Sequence, residues 1–244
     1  MNIISKVIDL IHVLITTKQS IFSVFKNGFS IASSYIVHSL YNIDHNISTV
    51  IDVGANKGQY ALASKHFYPE AIVHSFEPVP ACFEKLKLNT RNISNLNIYN
   101  MALGSTEAKI KFYQNAYSHA SSALPISNYQ KENVPETRNT KEIDVMVTTL
   151  DNFIFSTPLS SPILLKMDVQ GYEMEVLKGG KKFISQVDYI LLETSFTPMY
   201  ENEPLFDDLH TYLKSEGFEL LAPLDFLRKN DKILQMDVLY KKKR

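Results

Sequence analysis

From residue 49 onward, short apolar runs of strand length alternate with segments whose apolar residues recur at helical spacing. Residues 50–53 form a largely β-branched run that stops at Gly54, and a helical pattern follows from about Gly58 to Phe67. A second run, 72–76, is closed by Glu77-Pro78, and a helix opens at Pro80, where proline suits the first turn. Further strands are expected at 96–99, 109–114, 143–149, 163–167 and 189–192, the last ending at Glu193. Helical patterns cover 172–178, stopped by Gly179-Gly180, and 205–213, stopped by Gly217. Two final strands are expected near 218–221 and 234–240. The alternation predicts an α/β fold, a mostly parallel sheet covered on both faces. In such sheets ligands bind at the carboxyl ends of the strands.

Two stretches depart from the alternation. Residues 1–48 read as a helical extension of two helices with a turn near Asn27-Gly28. In the first, Ile3, Ile4, Val7, Ile8, Ile11, Leu14 and Ile15 share one face, with Asn2, Ser5, Lys6, Asp9 and His12 opposite. Packing on its own domain, packing on a second copy in a homodimer, and peripheral membrane contact all remain open. The polar face carries little positive charge, which weakens the membrane reading. No apolar run reaches the roughly 20 residues that a spanning helix needs. Residues 115–140 are polar, lack clear periodicity and carry Pro125 and Pro135. They read as a lid or binding loop.

Composition narrows the field. With 45% hydrophobic and 21% charged residues in 244, wholesale disorder is excluded. Lys and Arg number 25 against 26 Asp and Glu, a net charge of -1, so nucleic acid is not an expected partner. The single Cys82 excludes an internal disulfide and a multi-cysteine zinc site, and suits a reducing, cytoplasmic setting. The closing Lys241-Lys-Lys-Arg244 reads as a solvated tail, with membrane contact the lesser alternative. No Gly-x-Ser-x-Gly elbow supports serine hydrolase chemistry.

The candidate chemistry begins at Val50-Ile-Asp-Val-Gly-Ala-Asn-Lys-Gly58. A buried strand enters a glycine turn and a helix, so Gly54 and Gly58 allow close backbone approach and the helix start offers free N–H groups. Asp52, near the end of a buried strand, needs a partner. Glu77 ends the next strand, where an acid accepts hydrogen bonds from a ribose. The turn lacks Gly-x-Gly-x-x-Gly, so a nucleoside without a pyrophosphate fits best, S-adenosylmethionine above all. Asp168 ends the 163–167 strand and faces the same cleft. It can act as base, as cofactor or substrate ligand, or, with Glu193, as half of a Mg²⁺ site. His119, in the 115–140 loop, is a candidate general base.

These motifs resemble the FkbM family of S-adenosylmethionine-dependent methyltransferases. The matching stretches are IDVGANKGQYA (51–61), SFEPVP (75–80), NMALG (100–104), VTTLD (147–151), LLKMDVQGYEMEVLKGG (164–180), LLETSF (191–196) and QMDVLY (235–240). The resemblance implies a class I methyltransferase domain over 49–244, with a Rossmann-like seven-stranded sheet whose last strand is antiparallel. It implies that Asp52, Gly54, Ala55, Asn56 and Gly58 cradle the methionine part of the cofactor. Glu77 would hold the ribose, and Met101, Ala102 and Leu103 would lie beside the adenine. It further implies O-methylation of a small-molecule or glycan hydroxyl, in a saccharide, glycolipid or natural product. N-methylation and a cofactor-binding module without catalysis are the rival readings. No Asn/Asp-Pro-Pro-Tyr/Phe motif follows the 163–167 strand, which disfavours the first.

Overall fold

The computed structural model describes residues 30–153, 155, 158–229 and 231–243. The amphipathic helix expected at 1–15 and the turn at Asn27-Gly28 lie outside them. The second expected helix is α1, Ile31–Ile43, capped by the Ser30 side chain, which accepts from the Ser33 N–H. Among the described residues no helix is long and apolar enough to cross a membrane.

The main sheet contains β1 (Thr49–Val53), β2 (Ile72–Phe76), β3 (Leu96–Tyr99), β7 (Ile163–Met167), β8 (Tyr189–Ser195), β9 (Phe218–Lys229) and β10 (Lys232–Lys242). Their order is β3-β2-β1-β7-β8-β10-β9. The pairs from β3 to β8 are parallel, and β10 runs antiparallel to both β8 and β9. This is the sheet of class I methyltransferases. The strand order reverses between β1 and β2 on one side and β1 and β7 on the other, which leaves a crevice at their carboxyl ends.

Both faces are covered, which is why the central strands are mostly apolar with only isolated polar residues. Val50, Val73, Leu164, Leu191 and Leu239 pack with Val37 and Leu40 of α1 and with Tyr60 and Ala61 of α2 (Gln59–Phe67). The alternate residues Ile51, Val53, Phe76, Leu165 and Met167 pack with α5 (Glu173–Gly179) and α6 (Phe206–Ser215). The helix α3 (Pro80–Thr90) follows β2.

Two expected strands leave the main sheet. β5 (Ala108–Asn115) and β6 (Thr140–Thr148) join β4 (Ala102–Leu103) in a separate three-stranded sheet, order β4-β6-β5. The 115–140 segment between them is not a structureless loop. It contains short 3-10 turns at Ser118–Ala120 and Pro135–Thr137 and the helix α4, Asn128–Asn133. Its Ile126 is buried with Met199 and Tyr200, packed by Leu124, Tyr129 and Val134. That small core makes the segment a packed wall rather than an open lid. Its elements are too short to show helical periodicity.

Gly179 explains one of the sequence signatures. A Cβ there would overlap the carbonyl oxygen of Gly104, at the end of the small sheet. The helix therefore ends where two backbones touch. Gly179→Ala is expected to lower stability by about 3 kcal/mol or more, since backbone on both sides resists relaxation. Chemical denaturation of the variant checks this, and an unchanged midpoint contradicts the packing argument.

Candidate active site

A cleft opens at the carboxyl ends of β1, β2 and β7. Its floor is Val53, Gly54, Asn56, Phe76 and Glu77. Met101, Ala102, Leu103 and Phe112 give an apolar side, and Asp168, Val169, Gln170 and Tyr172 lie opposite. The packed wall contributes Ser118, His119, Ser121 and Ala123.

Of the expected residues, Gly54, Asn56, Glu77, Met101, Ala102, Leu103, His119 and Asp168 share this cleft. Asp52, Ala55, Gly58 and Glu193 do not line it. Asp52 is wholly buried and points to the α2 side of the sheet, where it meets the Lys166 ammonium at 3.0 Å. Ala55 is buried, and Gly58 lies against Leu86 of α3. The glycine turn thus serves protein packing as much as ligand approach. Gly54, at φ 79, sits so close to the Asp168 carbonyl that a Cβ would overlap it.

Lys166 is the residue that sequence reasoning missed. A lone lysine inside the apolar run Ile163–Met167 has to be paired. Asp52 lies directly beside it in register, and Asp168 is two residues further along the strand. Burial pushes the ammonium down, but Asp52 and Asp168 outweigh burial and raise it. It also donates to the Gly54 carbonyl at 3.2 Å and lies 3.9 Å from Asp168.

Glu77 is buried, and burial pushes its carboxyl up to about 7 against two backbone N–H bonds that favour the charge. Those bonds come from Asn56 and Val79, each at 2.8 Å. The Asn56 side-chain oxygen is buried without a protein partner and belongs to a residue lining the cleft. An unpaired amide oxygen suits an ammonium group, an acid on the β2 end suits a ribose diol, and the apolar side suits a purine. The lining carries two carboxylates and no lysine or arginine, which suits a cationic sulfonium. These residues fit S-adenosylmethionine.

They do not fit the Mg²⁺ site expected of Asp168 and Glu193. Glu193 lies inside β8 rather than at its end, because β8 continues to Ser195 against β10. The Gln170 side-chain nitrogen stands between the two acids, donating to Asp168 at 2.8 Å and to Glu193 at 2.6 Å. An amide nitrogen is a donor and cannot ligate a cation. Among the described residues no group of three or more His, Cys, Asp or Glu is arranged for a metal. Burial raises Glu193 well above the usual carboxylate range, with Asp168 and Asp237 adding to the effect. His119 is pushed down by burial, while Asp168 opposes that shift.

Fold and cleft together define an S-adenosylmethionine-dependent methyltransferase. Residues 52–220 match the Methyltransferase FkbM domain, and the chain belongs to that family. It is similar to Methyltransferase 1 of Beauveria bassiana, 27% identical over 81% of this chain and 86% of that one. It is similar to the 2-O-methyltransferase NoeI of Sinorhizobium fredii, 26% identical over 75% of this chain and 80% of the relative. A third relative is the hexuronic acid methyltransferase AglP of Haloferax volcanii, 27% identical over 58% of this chain and 54% of the relative.

Two pH dependences follow. Burial holds Glu77, Glu203 and Asp237 at about 7 and Glu173 at about 8 in the folded chain. The unfolded chain releases those protons near pH 4. Between these limits the folded state binds more protons, so stability falls as pH rises. Thermal unfolding of the cofactor-free protein should therefore occur at a lower temperature at about pH 8 than at about pH 5.5. A midpoint that rises over this range contradicts the burial of these acids. Conversely, S-adenosylhomocysteine should bind more tightly as pH rises through about 7, since only the ionised Glu77 accepts from both ribose hydroxyls. Calorimetry on wild type and Glu77→Gln checks this, the variant losing the dependence.

Proposed function

We propose that the protein methylates a hydroxyl of a saccharide or related polyol, with Asp168 taking the hydroxyl proton. The observation that carries this reading is the position of Asp168. Its partly exposed carboxylate ends β7 at the cleft, held by the Gln170 amide and faced by Lys166. S-adenosylmethionine supplies, when bound, a methyl group on a cationic sulfur. The chain has two tasks: to align an acceptor oxygen and to remove its proton as the oxygen loses electron density.

Asp168 lines the same cleft as Ser118, His119 and Ser121 of the wall that would receive the acceptor. Lowered by burial, the His119 imidazole stays neutral near pH 7, so it can accept or donate one hydrogen bond to a hydroxyl. Ser118 and Ser121 add short polar groups beside it. The mixture suits a ring bearing several hydroxyls and needs no charge on the acceptor. The O-methyltransferase name of one relative and the hexuronic acid acceptor named for another support the same reading. No step is assigned to Mg²⁺.

The test is incubation with S-adenosylmethionine and a panel of methyl hexopyranosides and hexuronides. Mass spectrometry should find a product heavier by one CH2. Asp168→Asn should lower kcat by ~10²–10⁴-fold, the range of general-base contributions. Its affinity for S-adenosylhomocysteine should stay near that of the wild type. Full turnover by Asp168→Asn contradicts the assignment, and loss of turnover in EDTA contradicts the reading without Mg²⁺. His119→Ala should raise the acceptor KM more than it lowers kcat.

A further inference from the structure

The turn after β7 is built around Gln170. Its backbone lies at φ 58, in the left-handed region that a glutamine adopts only at a cost. Four hydrogen bonds hold it there. Its side-chain nitrogen serves Asp168 at 2.8 Å and Glu193 at 2.6 Å. Its side-chain oxygen accepts from the Tyr200 hydroxyl at 2.6 Å, and its backbone carbonyl from Ser122 Oγ at 2.6 Å. The orientation of the amide is fixed by chemistry. The NH2 end serves the Asp168 and Glu193 oxygens, which leaves the amide oxygen to take the Tyr200 O–H.

The partners of Gln170 lead to the wall. Tyr200 is fully buried, its hydroxyl meets the Gln130 side chain, and its backbone bridges to Ile126. Ser122, Ile126 and Gln130 all belong to the 115–140 segment. A continuous set of bonds thus runs from the wall, through Tyr200 and Gln170, to Asp168.

We infer that Gln170 is a positioning residue that couples the acceptor wall to the Asp168 carboxylate. This rests on the reading that Asp168 takes the hydroxyl proton. The charges around Asp168 explain why the coupling group is an amide. Glu193, Asp237 and Glu173 act on it from β8, β10 and α5, Lys166 from its own strand, and His119 and Tyr200 from the wall side. A second cation between Asp168 and Glu193 would weaken Asp168 as a proton acceptor. An amide orients both acids without adding a charge between them. Gln235 repeats the arrangement behind Glu193, donating to it at 3.2 Å.

Two variants keep the test independent of folding. Gln170→Asn retains a residue that tolerates left-handed backbone but shortens the reach of the amide. Tyr200→Phe removes one hydroxyl and leaves the backbone alone. With the methyl glycoside panel as acceptors, kcat should fall ~100-fold for Gln170→Asn and ~10-fold for Tyr200→Phe, as expected of a misplaced catalytic group. The acceptor KM and the affinity for S-adenosylhomocysteine should change less than about threefold, because Asn keeps an amide in the cleft lining and Tyr200 does not line the cleft. In an Asp168→Asn background both changes should add nothing further. Wild-type kcat in Gln170→Asn beside a disabled Asp168→Asn overturns the inference alone. Additive losses in the double variants do the same, since they show a role independent of Asp168. Full activity of Asp168→Asn overturns the proton-acceptor reading and the inference with it.

Discussion

The buried pair between Asp52 and Lys166 sets the arrangement of the site. Both side chains lie on the α2 side of the sheet, directly opposite each other on β1 and β7. Taking two charges out of water costs several kcal/mol per ion, and removing one partner costs roughly 3–5 kcal/mol. The cost is offset only where every group finds a partner. Here Ser75 donates to Asp52 at 3.4 Å, Gly54 accepts from Lys166, and the ammonium lies 5.3 Å from the Tyr60 ring centroid. The pair fixes the two strand ends side by side. The next residues, Gly54 and Asp168, then meet at the crevice with their backbones in contact. Lys166 reaches Asp168 as well, so one cation biases both the structural acid and the proposed proton acceptor.

The central fold was readable because its physics is written in simple patterns. β1, β2 and β7 are buried on both faces, so they read as apolar runs bounded by glycine or an acid. Harder cases follow from interactions between distant segments. The apolar run of β8 stops at Glu193, so the sequence pattern places the strand end there. The strand continues because β10 pairs with it, placing Asp237 directly opposite Glu193. Two facing acids are tolerated since both titrate high when buried and two amides, Gln170 and Gln235, serve Glu193. Nothing local announces that. Asp52 was rightly read as needing a partner, yet the partner stands on a strand more than a hundred residues later. The wall at 115–140 shows no helical periodicity in the sequence because its helix has only six residues.

The cleft's charge follows the same logic. Its lining holds the Glu77 and Asp168 carboxyl groups and no lysine or arginine, and the nearby cation, Lys166, is committed to Asp52 behind the sheet. Such a lining favours a cationic cofactor and does not steer polyanions. The wall that completes it is tied to the catalytic end of the sheet through Ser122 and Tyr200 rather than hinged away from it. The wall and the Asp168 carboxylate are therefore parts of one hydrogen-bonded unit.

The most direct measurement of the central claim is a crystal structure with S-adenosylhomocysteine. The account predicts the ribose hydroxyls on Glu77, the amino group at the Asn56 side-chain oxygen, and the sulfur facing the side of the cleft that holds Asp168 and His119. S-adenosylhomocysteine bound elsewhere, or seated with its sulfur turned away from Asp168, would contradict it.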